Sequence, residues 1–191
     1  VNLLANSSFI MWPDGDTSAP AYFALSGTGA TIARTGTGLA NTNRLIGNYA
    51  AQVTYGSATA RLQQTLLDSG VWAANDHYET EDVAITGWIK TASANKVRMY
   101  SYTGTAGYEY SGYHTGGDTW ERLEVVETIL STATELSVGA EISGSGNFYV
   151  AGIVALFNDT ATDRYVPSRA VRGTISWNFV GTPVTGDGQR F

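Results

Sequence analysis

Short apolar runs alternate with polar residues from one end of the chain to the other, and Gly, Asn, Asp or Ser punctuates them. No stretch carries an apolar stripe at helical period, so the pattern predicts strands. Asn2–Leu4 and Ser8–Trp12 read as a broken first strand, followed by a turn at Pro13-Asp14-Gly15-Asp16. Three hairpins are predicted next. Ala21–Leu25 joins Ala30–Arg34 about Ser26-Gly27-Thr28-Gly29, Tyr49–Thr54 joins Thr59–Leu66 about Tyr55-Gly56-Ser57, and Asp82–Ala92 joins Lys96–Tyr102. Trp120–Ile129, Glu135–Ile142 and Asn147–Phe157 complete the set, with one helical turn expected at Asp68–Trp72.

Alternation assigns the faces. Leu136, Val138, Ala140 and Ile142 point inward while Ser137, Gly139 and Glu141 point out. Val83, Ile85, Gly87 and Ile89 share one face, opposite Thr86, Trp88 and Lys90; the tryptophans Trp88 and Trp120 are assigned to the core or to packing between sheets. Asn147–Phe157 is apolar on both faces, as a central strand covered on each side would be. Regular strand spacing of this kind predicts an all-β jelly-roll β-sandwich of two antiparallel sheets. The main domain is placed at 1–157, and 158–191 is read as a linker and a C-terminal junction strand. In that strand, Gly173–Val180, the apolar residues Ile175, Trp177 and Phe179 lie on one face and need cover from another subunit or domain.

Composition narrows the function. With 191 residues and 43% hydrophobic content the chain can bury a sizeable core. Its charge of -6 and lack of a basic patch argue against nucleic acid, and no apolar run is long enough for a membrane-spanning helix. Cysteine is absent, which excludes disulfides, thiolate metal sites and a cysteine nucleophile. His77 and His114 are the only histidines, and no Gly-x-Ser-x-Gly elbow occurs. Glu109 with Glu121 or Glu124 is the one pairing imaginable for glycoside hydrolysis; Glu124 and Glu127 read as a solvated strand face. The expectation is a non-catalytic protein without a cofactor. The opening residues show neither a signal-peptide pattern nor an initiator Met, so a piece of a longer polypeptide is expected.

Chemistry concentrates in residues 97–120, which hold five of the eleven tyrosines. As a strand, this segment points Val97 and Met99 one way and Arg98, Tyr100 and Tyr102 the other. Sugar rings combine apolar C–H faces with hydroxyls, so flat aromatics beside planar polar groups suit them. Gln63 and Arg61, alternating with Leu62, are candidates for the same surface. Tyr108, Tyr110 and Tyr113 come next, in a Gly-rich, flexible segment, and serve either a ligand or a neighbouring subunit.

The order of several motifs resembles jelly-roll carbohydrate-binding modules of the CenC-like type. These are Asn2-Leu3-Leu4-Ala5-Asn6-Ser7-Ser8-Phe9, Leu62–Leu66 with Gln64, Gly87-Trp88-Ile89-Lys90, Thr119-Trp120-Glu121-Arg122 and Phe148-Tyr149-Val150. The resemblance implies glycan or polysaccharide binding. It also implies a structural calcium, but Ile10, Ala151 and Gly152 stand where its carboxylate ligands would be, so no metal is expected. Trp12-Pro13-Asp14-Gly15-Asp16, Gly29–Arg34, Gly36–Leu39 and Arg164-Tyr165-Val166-Pro167-Ser168-Arg169 are similar to bacteriophage tail-fibre or other virion-surface proteins. That second resemblance implies a homotrimer at the virion surface, host attachment, and contact with other virion proteins. A binding module of a secreted glycan-degrading enzyme and an architectural spacer without ligand are the alternatives.

Overall fold

The computed structural model describes residues 3–5, 7, 9, 11–36, 49–67, 82–104, 106–157, 170–171 and 174–175. Twelve strands are described: β1 (Ala24–Ser26), β2 (Thr31–Thr35), β3 (Ala50–Tyr55), β4 (Thr59–Leu67), β5 (Asp82–Thr91), β6 (Val97–Tyr102), β7 (Tyr108–Tyr110), β8 (Thr119–Thr128), β9 (Leu136–Ser143), β10 (Gly146–Phe157), β11 (Ala170–Val171) and β12 (Thr174–Ile175). Ten of them build two antiparallel five-stranded sheets, in the orders β1-β4-β9-β6-β7 and β2-β3-β10-β5-β8. The fold is the all-β jelly-roll sandwich that the alternation predicts. Trp177, Phe179 and Asp68–Trp72 lie outside the described residues. Ile175 ends β12, which pairs with β11 through Ala170↔Ile175 and Val171↔Thr174.

None of the three predicted hairpins forms. β1 pairs with β4 while β2 pairs with β3; β4 pairs with β9, and β5 with β10 and β8. Each predicted hairpin turn instead carries the chain from one sheet to the other. A short Gly turn dictates that the chain reverses, but it does not dictate that the returning strand pairs with the one it left. The longer strands carry apolar faces that crossing between sheets buries against each other, while β1 contributes half-buried Leu25 and β2 buried Ile32. β6 and β7 form a true hairpin, with Tyr100↔Tyr110 and Tyr102↔Tyr108 opposite one another.

The inter-sheet core contains Leu62, Ile85, Ile89, Met99, Leu136, Ile142, Phe148 and Ile153, all without solvent exposure. β10 is the central strand of its sheet, as its two apolar faces require. The expected first strand is absent among the described residues. The N-terminal segment docks instead through Leu4 and Phe9, with Phe9 edge-on to Phe23 at 4.9 Å. Buried Gln64 holds this segment with two bonds: its amide donates to the Ala5 carbonyl (3.0 Å) and its carbonyl accepts from Ala5 N–H (2.9 Å). Trp88 and Trp120 do not pack between the sheets. They sit half-buried on the outer face of the second sheet, with Tyr149, Ala50 and Ala151.

Candidate functional site

Antiparallel register turns the outer face of the first sheet into a grid. One row runs Arg61 on β4, Glu141 on β9 and Arg98 on β6. The next runs Gln63, Gly139, Tyr100 and Tyr110; the third runs Thr65, Ser137, Tyr102 and Tyr108. Strand alternation puts all of these side chains on the same side, because cross-strand partners share a face.

Glu141 anchors the first row. It is 2% exposed, and both its oxygens are occupied. Arg61 donates Nε (2.8 Å) and Nη2 (2.7 Å) to Oε2, while Arg98 donates Nε (3.1 Å) and Nη2 (2.9 Å) to Oε1. Burial alone would lower the Arg61 pKa, but the hydrogen bond and charge of Glu141 raise it, so its cation is secured. Sequence alternation places Glu141 outward, and so it is, yet the arginines and tyrosines cover it. Its importance is not readable locally, since its partners lie 80 and 43 residues away.

The guanidinium planes lie against rings. Arg61 stands 4.5 Å from the Tyr108 centroid and 5.4 Å from that of Tyr100. Arg98 stands 3.3 Å from Tyr110 and 4.8 Å from Tyr113. Tyr108 and Tyr110 are nearly parallel, 11° apart at 5.8 Å, and Tyr102 lies 4.5 Å from Tyr108. Such contacts hold flat side chains in place without closing their outer faces.

Tyr100 behaves differently from its neighbours. Its ring is fully buried, and its hydroxyl donates to Gln63 Oε1 at 2.6 Å. Burial pushes the phenol pKa well above its ordinary value, so it stays a donor. Gly139 lies between Gln63 and Tyr100 in register, where the β4 backbone approaches so closely that a Cβ would collide with the Leu62 carbonyl oxygen. Tyr100 and Gln63 therefore form a floor, and the exposed rings are Tyr108 and Tyr113, each 39% exposed, with Tyr102 and Tyr110 half-buried beside them.

The segment expected to be flexible is thus an edge strand plus an ordered turn. The Tyr-Glu-Tyr alternation of 108–110 adds β7 to the sheet and brings Tyr108 and Tyr110 onto the face of Arg98 and Tyr102. His114 orders the turn that leads from β7 into β8. It is fully buried, accepts from Gly116 N–H at Nδ1 (2.8 Å), and sets Nε2 3.1 Å from the Ile89 and Thr119 carbonyls. Ser111 seats the turn on β6 by accepting from Met99 N–H at 2.9 Å.

The carboxylates weighed for hydrolysis have other tasks. Glu121 accepts from the Thr115 N–H (2.9 Å) and hydroxyl (2.8 Å); its pKa ends lowered, since these bonds outweigh a burial effect that raises it. Glu124 pairs with Arg122 at 3.7 Å. Glu127 is not on a solvated face: it is 4% exposed on the core side of β8 and accepts from Ser101 at 2.8 Å. Alternation with Leu123 and Val125 is the sequence signal that points to this. Among the described residues no group of three or more His, Cys, Asp or Glu is placed to hold a metal ion.

Neither a protein-family model nor a curated protein matches the sequence. Solved structures do match by shape. The CBM22-1 xylan-binding domain of Paenibacillus barcinonensis Xyn10C superposes with a TM-score of 0.57 at 14% identity, over 82% of this chain and 94% of that one. The enzymatically active domain of bacteriophage CBA120 tailspike protein 4 gives 0.57 at 13% identity, over 82% of this chain and 21% of the tailspike chain. A cyclase from Fischerella sp. TAU gives 0.59 at 12% identity, over 81% and 95%. At such identities the likeness shows the fold, a jelly-roll sandwich of the kind carbohydrate-binding modules possess, on which both binders and enzymes are built.

Proposed function

We propose that the chain is a non-catalytic glycan-binding module of a bacteriophage virion surface, and that the outer face of the first sheet is its binding surface. One observation carries the reading: Tyr102, Tyr108, Tyr110 and Tyr113 form a contiguous ring platform, pinned by Arg61 and Arg98, which are themselves locked to Glu141. A rigid aromatic surface loses little side-chain entropy on binding, which suits a weakly adhesive ligand such as a sugar ring. Likeness of shape to a xylan-binding domain supports a glycan partner, and likeness to a tailspike domain supports the phage setting. In this reading 1–157 is the binding unit, while 158–191, with Ile175, Trp177 and Phe179, joins it to other virion proteins or to its copies in a trimer.

A second reading has its own support. The chain matches nearly the whole of the xylan-binding domain but a fifth of the tailspike chain, as a module of a secreted glycan-degrading enzyme would. Both readings use the same face. Replacing Tyr108 and Tyr113 together by Ala is expected to weaken binding on a bacterial and plant glycan panel by about fivefold or more, with the thermal midpoint nearly unchanged, because each exposed ring contributes about 0.5–1.5 kcal/mol. Unchanged affinity would remove this face from the site. Sedimentation of the intact chain bears on the phage reading, for which a trimer is the expected result and a stable monomer counts against it.

A further inference from the structure

We infer that the glycan taken by this face is an uncharged one, and that buried Glu141 sets that preference; the inference rests on the glycan-binding reading above. Two arginines beside aromatic rings suggest at first a clamp for uronate or sulfate groups. A clamp works through the Nε/Nη edge, whose paired N–H groups match a carboxylate. Both edges here are spent. Arg61 directs Nε and Nη2 to one oxygen of Glu141, and Arg98 directs the same two atoms to the other. An incoming anion would have to displace a carboxylate that is 2% exposed and leave it buried without its counter-ions.

The guanidiniums are also held over rings, Arg61 over Tyr108 and Tyr100, Arg98 over Tyr110 and Tyr113. Local charge points the same way. Glu135 accepts from Ser137, which belongs to the same face, so two carboxylates balance the two arginines. The chain as a whole carries -6, which opposes the approach of a polyanion. What the face still presents is ring surface for sugar C–H groups, together with Nη1 amino groups and the tyrosine hydroxyls for sugar hydroxyls. That inventory suits an uncharged hexose or pentose polymer, and it offers a carboxylate or sulfate no Nε/Nη2 fork that Glu141 does not already occupy.

The test uses affinity electrophoresis and titration calorimetry of the intact chain against two sets of polymers. One set is neutral (xylan, galactan, mannan, dextran) and the other acidic (polygalacturonate, alginate, hyaluronan). A neutral polymer is expected to bind at least about tenfold more tightly than any acidic one, with affinity changing less than about twofold between low salt and about 0.5 M NaCl. The Glu141→Gln variant frees both forks and is expected to acquire salt-sensitive binding to acidic polymers. Should that variant lose its fold by circular dichroism, Arg61→Met, Arg98→Met and Glu141→Met combined is the alternative, since all three charges then leave together: neutral binding persists within about tenfold because the rings remain. Salt-sensitive preference of the unaltered chain for an acidic polymer would overturn this inference and leave glycan binding standing. Failure to bind any polymer of either set overturns both.

Discussion

Glu141→Gln isolates the electrostatic knot of the sheet face. The substitution keeps size and shape but exchanges two acceptor oxygens for one acceptor and one donor group, which then confronts two guanidinium edges. Breaking a fully buried ion pair by removing one partner costs about 3–5 kcal/mol. Here the carboxylate side chain is 3% exposed but the arginines are 25% and 21% exposed, so water takes up part of the loss. The expected destabilisation is about 2–4 kcal/mol, equivalent to roughly 5–15 °C in the thermal midpoint of a domain this size. Urea unfolding followed by tryptophan fluorescence at pH 7 measures it, with the m-value confirming that the same transition is compared. A companion variant carrying Met at 61, 98 and 141 should recover most of the loss, since all three charges then leave together. If Glu141→Gln changes stability by less than about 0.5 kcal/mol, the pairing is decorative and the reasoning fails.

Two further substitutions probe independent features. Burial holds the Glu127 carboxyl above its ordinary pKa, with the nearby Glu109 charge adding to the shift and the Ser101 bond opposing it. A raised folded-state pKa means that the protonated form is preferred in the native state; its stabilisation is present below the unfolded value of 4.5 and is lost as pH rises through the folded value. Glu127→Gln should therefore stabilise at pH 7 and be near neutral at pH 4 by urea unfolding; stabilisation that is larger at the acidic pH contradicts the assignment. Gly139→Ala places a methyl into the Leu62 carbonyl oxygen, against the β4 backbone, and should cost about 2–3 kcal/mol by urea unfolding. A variant as stable as the parent would mean that β4 and β9 separate readily at that point.

Fold class is legible because period-two alternation survives in single strands: Leu136–Ile142 and Val83–Ile89 announce their core faces without outside help. Strand partnership is not. Ser26–Gly29 looks like a hairpin turn, yet β1 pairs with β4 in one sheet and β2 with β3 in the other. The site is half legible for the same reason. Arg98, Tyr100 and Tyr102 declare their common side within one strand, and Gln63 with Arg61 does so in another. That the two sets adjoin depends on β9 lying between them, and nothing local to Glu141 indicates that. Tyr108 and Tyr110 read as loop because three residues are too few for alternation to stand out in a glycine-rich surround. Tyr100 gives no sequence hint of full burial, since the groups set against it, Gln63, Arg61 and Tyr108, come from other strands.

Because strands of the two sheets are interleaved along the chain, no contiguous piece of it holds the whole of the proposed binding face. Arg61, Arg98, Tyr108 and Glu141 arrive from four strands, β4, β6, β7 and β9, with strands of the opposite layer interposed along the chain. An excised β6–β7 hairpin would carry Arg98 and its tyrosines and still lack the anion that orders them. A nascent chain that has emerged only as far as Leu130 would likewise present tyrosines without their keystone. On the glycan-binding reading proposed above, capture of ligand therefore waits until β9 is made, and a copy that stops before it has no ordered face to offer.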